Sequence, residues 1–323
     1  YSFSFLMIRR PPRSTLFPYT TLFRSAVIVT LIFFIVLAYN AYYAPLPDIK
    51  VSNTETVIIP GVGKEYTFLF LTDMHMAIKT KQDLGASLGD ADERMKAFVN
   101  EEGILSSTQF TEWIAYANRL KPEGVLMCGD MIDYYSQENV EFLADNLQKL
   151  KVPYLYVLGN HEMYSPWNET IAEDAEIYHL FRENNTAFQA WEFPEFTICA
   201  VDNQSYQVAP EALDAMQKEI EKGKPIILLA HVPFYTSQIE TLKEASINTW
   251  GVPLIIGEGA RDTTEVTRKF MKMAFSDESP VVAVFTGDNH FYYKGMLTDK
   301  IEECVIDPSF AGNGTIIKIK AKE

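Results

Sequence analysis

Short apolar runs separated by amphipathic stretches make up the chain from about Thr56 onward, a pattern typical of an α/β domain. Apolar residues at helical spacing predict helices over residues 108–120, 140–150 and 210–222. Five apolar runs are predicted to be buried strands, and a polar residue follows each of them. These runs are residues 66–72, 124–128, 154–158, 226–230 and 281–286.

The polar residues at the strand ends are of types that bind metal ions. Ligands of open α/β sheets gather just beyond the carboxyl ends of the strands, so the repetition predicts a single composite site. The residues concerned are Asp73, Asp130, Asn160, His231 and Asp288, with His75 and His290 two positions beyond the first and the last.

The N-terminal region has a different character. Residues 7–25 read as the in-frame translation of a sequencing-adapter oligonucleotide, so residues 1–25 are interpreted as an artefact and excluded from the fold. Residues 26–43 are almost entirely apolar and predict a single-pass transmembrane anchor, although a span needs about 20 residues. A cleaved signal peptide and a buried core segment are the alternatives. Residues 44–55 are expected to be a linker, and residues 56–323 the folded domain that carries the polar residues at the strand ends, lying outside the cytoplasm.

Composition narrows the class of protein. With 323 residues, of which 47% are hydrophobic, the chain can form one large domain preceded by a tail. A formal charge of −15 argues against binding to the nucleic-acid backbone, which requires a basic surface, so no nucleic-acid partner is expected. The three cysteines are too few for a disulfide framework and are expected in the core. No oligomeric state is indicated.

Five segments resemble, in order, the motifs DxH, GDxxD, GNH(E/D), H and GHxH of the calcineurin-like metallophosphoesterase family. Four of the five histidines fall on motif positions, and the resemblance extends over residues 66–290. It implies a four-layer α-β-β-α sandwich and hydrolysis of phosphate mono- or diesters with two divalent metal ions. Imidazole and oxygen ligands favour manganese, iron or zinc. The segments are Asp73-Met74-His75, Gly129-Asp130-Met131-Ile132-Asp133, Gly159-Asn160-His161-Glu162, His231 and Gly287-Asp288-Asn289-His290.

The resemblance also implies a role for each site residue. Asp130 would bridge two ions about 3.5–4 Å apart, and a hydroxide shared by the ions would attack phosphorus. His161 would act as general acid, oriented by Asp133; the alternative is a buried Asp–His pair without a catalytic part. One ion would be held by Asp73, His75, Asp130 and His290, and the other by Asp130, Asn160, His231 and Asp288.

The last motif departs from the family pattern, because Asp288 stands where the family has histidine. The additional negative charge makes the site less attractive to an anionic ester, so retained but altered activity is expected. The alternative function is a catalytically weak metal- or phosphate-binding surface protein with a compromised second metal site. Aromatic residues near the motifs, such as Tyr134, Phe234 and Tyr235, either line a substrate cleft or pack around the metal ligands. Residues 79–92 predict a surface loop that could act as a lid.

Overall fold

The computed structural model describes residues 17–43, 48–78, 86–163 and 176–322. The chain divides into two compact units, Tyr1–Ala44 and Pro45–Glu323. In the first unit, helix α1 covers Phe17–Tyr43. Within the described ranges, no helix combines the length and the apolar character needed to cross a membrane. The transmembrane anchor predicted over residues 26–43 is therefore not supported, and the extracytoplasmic location stays a prediction. Residues 1–16 and 44–47, which belong to the predicted artefact and linker, lie outside the described residues.

The second unit alternates strands and helices, as the sequence pattern predicts. All five predicted strands are observed. The elements are β1 (Lys50–Ile58), β2 (Tyr66–Leu71), α2 (Ala86–Ala97), α3 (Ser106–Leu120), β3 (Gly124–Cys128), α4 (Gln137–Lys149), β4 (Tyr154–Val157), β5 (Phe188–Glu192), β6 (Thr197–Val201), α5 (Pro210–Glu221), β7 (Ile226–Ala230), α6 (Glu240–Trp250), α7 (Glu265–Ala274), β8 (Val281–Thr286), β9 (Tyr293–Met296), β10 (Glu302–Val305) and β11 (Asn313–Lys320).

The strands form two mixed sheets. The first has the order β1-β11-β2-β3-β4 and the second the order β5-β6-β7-β8-β10-β9. Strands β2, β3 and β4 are parallel neighbours, so their carboxyl ends lie at one edge of the first sheet. Strands β7 and β8 are likewise parallel in the second sheet. The polar residues that follow these five strands are therefore brought to two sheet edges.

Three hydrophobic cores show how the layers stack. Phe68 and Phe70 of the first sheet pack in one core with Leu229 and Phe285 of the second, so the two sheets lie face to face. The outer face of the first sheet packs against α3 and α4. The outer face of the second sheet packs against α5, α6 and α7. The order of layers is helix, sheet, sheet, helix, which is the predicted α/β sandwich.

Two segments differ from the sequence-based expectation. Residues 50–55, predicted as linker, belong to β1, because their backbone pairs in parallel with β11 near the end of the chain. Residues 86–97, most of which were expected in a surface loop, form helix α2, while residues 79–85 lie outside the described part. The cysteines follow the expectation, since Cys128, Cys199 and Cys304 are all buried and free.

Candidate metal centre

The predicted ligands from the first and the last motif lie within contact of one another. The Nε2 atoms of His75 and His290 are 3.0 Å apart. Asp73 Oδ1 lies 3.4 Å from His290 Nε2 and 4.0 Å from His75 Nε2. His75 follows β2 of the first sheet and His290 follows β8 of the second, so the two sheets meet at this point. One aspartate and two histidines thus direct their polar atoms into a shared space.

Asp130 lies between the two histidines that come from different sheets. Its Oδ2 atom is 3.3 Å from His231 Nε2 and 3.6 Å from His75 Nε2. Both histidines are buried, with 0% and 1% of the side chain exposed. A single carboxylate oxygen therefore lies near imidazole nitrogens that come from both sheets.

Asp288 completes the group on the side of the second sheet. Its carboxylate is 3.6 Å from His231 Nε2 and accepts a hydrogen bond of 3.0 Å from the Tyr206 hydroxyl. Its backbone N–H donates to the carboxylate of Asp73 at 3.2 Å. Burial raises the pKa of Asp288 to about 6, although the positive charge of His231 acts to lower it. The residue that departs from the family motif is thus held in place by a tyrosine that the sequence did not single out.

Two buried polar atoms suit the binding of a cation. His231 Nδ1 lies 2.8 Å from the Cys128 carbonyl, which makes Nδ1 a donor and leaves Nε2 as the ring atom that faces Asp130 and Asp288. Among the described residues, His231 Nε2 and Asn160 Oδ1 are buried atoms without a hydrogen-bond partner. Unpartnered buried acceptors are costly, and a metal ion would satisfy both. In the part of the chain that the structure describes, three overlapping groups of side chains have geometry that could hold an ion: Asp73, His75 and His290; His75, Asp130 and His161; Asp73, Asp130 and His231.

The charges at the centre perturb one another strongly. Burial alone would raise the pKa of Asp73, but its hydrogen bond to His290 and the charge of that ring hold the pKa below its usual value. Burial likewise opposes ionisation of Asp130, whose pKa is lowered well below its usual value by His231 and His161. Burial would lower the pKa of His231, yet the charge of Asp130 raises it. The neighbouring histidines thus favour the ionised forms of Asp73 and Asp130 in spite of their burial.

The backbone at the site is held in an unusual conformation. Five residues of the predicted ligand set have positive φ angles, in the left-handed region that side chains other than glycine rarely adopt. Such residues cost about 1–3 kcal/mol each and persist where the surrounding structure fixes them, often at functional sites. The residues are Asp73 (51°), His75 (47°), Asp130 (51°), Asp288 (64°) and His290 (56°).

Glu162 is a buried carboxylate that fixes two of the ligand loops. It accepts hydrogen bonds of 2.5–3.3 Å from the backbone N–H groups of residues 130, 131 and 132 and one of 2.7 Å from that of Gly159. The Tyr156 hydroxyl donates a further bond at 2.8 Å. The loops that carry Asp130 and Asn160 are therefore tied to one side chain, whose role is structural.

The relation between His161 and Asp133 differs in detail from the expectation. His161 Nδ1 lies 2.6 Å from the backbone carbonyl of Asp133, while the carboxylate Oδ1 is 3.4 Å away. The carboxylate is closer to His75 Nδ1, at 3.1 Å. Asp133 therefore contacts His161 mainly through its backbone, and its side chain orients the predicted ligand His75.

Arg94 on α2 is a residue of the site that the sequence did not reveal. Its Nε and Nη2 donate to the two carboxylate oxygens of Asp133. The guanidinium also lies over the Phe98 ring, 4.8 Å from the centroid, and Phe98 stacks on His75 at 4.1 Å. Arg94 on α2 and Phe98 directly after it thus support His75, the first through Asp133 and the second through ring stacking. The only feature of the sequence that points to Arg94 is its position in the segment that follows the DxH motif.

The aromatic residues beside the ligands also differ from those expected. Tyr134, Phe234 and Tyr235, which are close to the motifs in sequence, are buried in the protein. The rings around His290 instead belong to residues distant in sequence: Phe98 at 6.4 Å, Trp250 at 5.1 Å and Phe310 at 5.3 Å between ring centroids. No spacing pattern in the sequence connects these residues with the motifs.

Comparison with known proteins agrees with this geometry. The sequence profile described as Calcineurin-like phosphoesterase matches residues 66–292, well over half of the chain. This chain belongs to the calcineurin-like phosphoesterase family. The match places the chain among the metallophosphoesterases, the class to which the five motifs point.

Two curated relatives match part of this family member. The manganese-dependent ADP-ribose/CDP-alcohol diphosphatase of Homo sapiens is 28% identical over 121 residues, which are 32% of this chain and 35% of that protein. A probable glycerophosphodiester phosphodiesterase, GpdQ, of Arcobacter nitrofigilis is 28% identical over 129 residues, or 37% and 46% of the two chains. The matches thus span less than half of either relative.

Solved structures of similar proteins include a dimetal phosphatase from Danio rerio. It has a TM-score of 0.47 and 10% identity, and the match covers 76% of this chain and 88% of that one. The purple acid phosphatase PPD1 from Lupinus luteus has a TM-score of 0.46 and 15% identity, with coverage of 79% and 46%.

Replacing Glu162 with glutamine is expected to destabilise the protein. Glutamine has one acceptor oxygen instead of two, and its N–H₂ group would face backbone donors of the 130 and 159 loops. We expect the free energy of unfolding to fall by about 3 kcal/mol, measured by urea denaturation of the metal-free chain. Glu141→Gln, at an exposed position of α4, is the matched control and should change stability little. Equal stability of both variants would show that Glu162 does not organise the loops.

Replacing Arg94 with alanine is expected to weaken cation binding. The carboxylate of Asp133 would lose its bidentate partner, and its hold on the His75 ring would loosen. Loss of a group that orients a ligand typically lowers metal affinity about 10- to 100-fold, which titration calorimetry with manganese would measure. Lys96→Ala removes an exposed positive charge from the same helix and serves as control. If both variants bind manganese as the parent does, Arg94 has no positioning role.

Proposed function

We propose that this chain hydrolyses phosphate mono- or diesters with a pair of divalent metal ions. One ion is assigned to Asp73, His75, Asp130 and His290, and the other to Asp130, Asn160, His231 and Asp288. Imidazole, carboxylate and amide donors favour manganese, iron or zinc. When bound, such a pair lowers the pKa of a water molecule and neutralises charge on the phosphoryl oxygens.

The observation that carries this proposal is the position of Asp130. Its Oδ2 lies within 3.6 Å of imidazole nitrogens from both sheets. A buried carboxylate between two buried histidines is unfavourable unless positive charge compensates it. Sharing Asp130 between two cations gives that compensation to the other carboxylates as well. A single ion would leave either His75 or His231 without a neighbouring cation.

His161 is assigned the role of general acid. Its Nδ1 bonds to the backbone carbonyl of Asp133, so that its Nε2 is available to a substrate, and 29% of its side chain is exposed. Burial alone would lower the pKa of His161, but the charges of Asp130 and Asp133 raise it to about 10. A protonated ring in this position can donate to the leaving oxygen of the ester. Asp133 acts as a positioning residue for both His161 and His75.

The names of the two curated relatives guide the choice of substrates. One is a manganese-dependent diphosphatase and the other a probable phosphodiesterase. Both names refer to phosphorus that carries two organic or phosphoryl substituents. Manganese and a phosphodiester are therefore the first conditions to test.

A direct assay is hydrolysis of bis(p-nitrophenyl) phosphate by the manganese-loaded chain. We expect parent activity, and at least a 100-fold loss of kcat/KM in Asp130→Asn, because the amide cannot give the shared negative charge. Asp145→Asn, at an exposed position of α4, is the control and should match the parent. Absence of hydrolysis of this diester, and of p-nitrophenyl phosphate, with manganese, iron and zinc would contradict the proposed function.

Asp288 is expected to set the preference of the chain among metals. Asp288→His restores the family imidazole, removes one negative charge and separates the Tyr206 hydroxyl from its acceptor. Because imidazole suits zinc and carboxylate suits manganese, the ratio of activity with zinc to activity with manganese should rise about tenfold. Asp288→Asn, which removes the charge without adding a nitrogen ligand, separates the two effects. An unchanged ratio in Asp288→His would place residue 288 outside the metal set.

A further inference from the structure

An indole ring stands exposed beside the metal centre. Trp250 is the last residue of α6, and its ring centroid lies 5.1 Å from that of His290, with 76° between the planes. Of the whole residue, 42% is exposed to solvent. Tryptophan is normally largely buried, so this much apolar surface at the mouth of a polar site requires an explanation.

The ring is fixed in orientation although it is exposed. Its indole N–H donates to the backbone carbonyl of Asn289 at 3.0 Å, within the loop that carries Asp288 and His290. Gly251, at a φ of 77°, ends the helix directly after Trp250. A partly exposed aromatic ring that is anchored at its polar atom is suited to receive a flat apolar group.

The other aromatic rings of the region are occupied. Phe98 stacks on His75, and Phe310 packs against Phe98 and His290. In the described part of the second unit, Trp250 and Tyr292 are the two most exposed aromatic residues, at 42% and 38%. The Tyr292 hydroxyl bonds to Glu55 on β1 at 2.7 Å, a contact between the two sheets. Trp250 is thus the exposed ring that directly contacts a predicted ligand.

We propose that Trp250 stacks on a planar aromatic ring of the substrate, which assigns this chain to phosphate esters of nucleosides or of similar ring-bearing alcohols. This inference rests on the proposed function, because the phosphate must lie at the metal ligands for the organic group to reach the indole. The hydrogen bond to Asn289 ties the platform to the ligand loop, so the distance between ring and phosphate is set by the fold. Trp250 determines specificity and takes no part in the chemical step.

The test compares two phosphate esters, one of which carries an aromatic base and one of which does not. Adenosine 5′-monophosphate and ribose 5-phosphate are used as competitors of bis(p-nitrophenyl) phosphate hydrolysis by the manganese-loaded chain, with each inhibition constant corrected for the KM of the variant. We expect the parent to bind the nucleotide about tenfold more tightly, the lower range for stacking of one base on an aromatic side chain. In Trp250→Ala the two constants should become equal, whereas the constant for ribose 5-phosphate should not change.

Further variants separate stacking from other effects. Trp250→Phe keeps a ring and should keep most of the preference, while Trp250→Leu keeps apolar surface without a ring and should lose it. Ile58→Ala is the control, because Ile58 is 43% exposed and ends β1 at the opposite end of the first sheet from the ligands. Equal constants in the parent, or a preference that survives in Trp250→Ala, would overturn this inference while hydrolysis of the reporter continues. A chain that hydrolyses no reporter and binds neither phosphate would overturn the proposed function and this inference together.

Discussion

The structure depends on one electrostatic constraint, the burial of carboxylates where the two sheets meet. Asp73, Asp130 and Asp288 are all buried, and two of them have pKa values held below the usual value by neighbouring histidines. Burying a charge without a partner is among the most costly events in folding. Histidines from both sheets supply part of the compensation, and the buried Asn160 Oδ1, which has no hydrogen-bond partner, is a further donor for the proposed cations. The place where the two sheets meet is therefore also the candidate metal centre.

The remaining structure holds this unfavourable arrangement together. Five ligand positions have left-handed backbone, which the loops would not adopt on their own. Glu162 fixes two of the loops by accepting four backbone N–H groups, and the Asn203 side chain bonds to both backbone groups of Val232, next to His231. Large apolar cores on both faces of each sheet stabilise the strands from which the loops emerge. The stability that the cores provide thus offsets the unfavourable backbone conformations at the site.

Much of this could be predicted from the sequence, because the strands and ligands are local signals. Each of the five strands is a compact apolar run, and the DxH and GNHE segments carry residue types that rarely occur together by chance. Contacts between segments that are distant in the chain produce no local pattern in the sequence. The first part of strand β1 is not predicted by its local pattern, because it pairs with β11 near the other end of the chain. Arg94, Tyr206 and Trp250 reach the site from α2, a loop and α6, so only the folded arrangement identifies them. The pairing of Asp133 with His161 was inferred from the motif, and the structure assigns the carboxylate mainly to His75 and Arg94.

The central claim is that Asp130 is shared between two cations, and anomalous diffraction from crystals grown with manganese tests it most directly. The account predicts two anomalous peaks about 3.5–4 Å apart, with the Asp130 carboxylate between them. His75 and His290 should coordinate one peak, and His231 and Asp288 the other. A single peak, or peaks that leave Asp130 outside their coordination, would contradict the account.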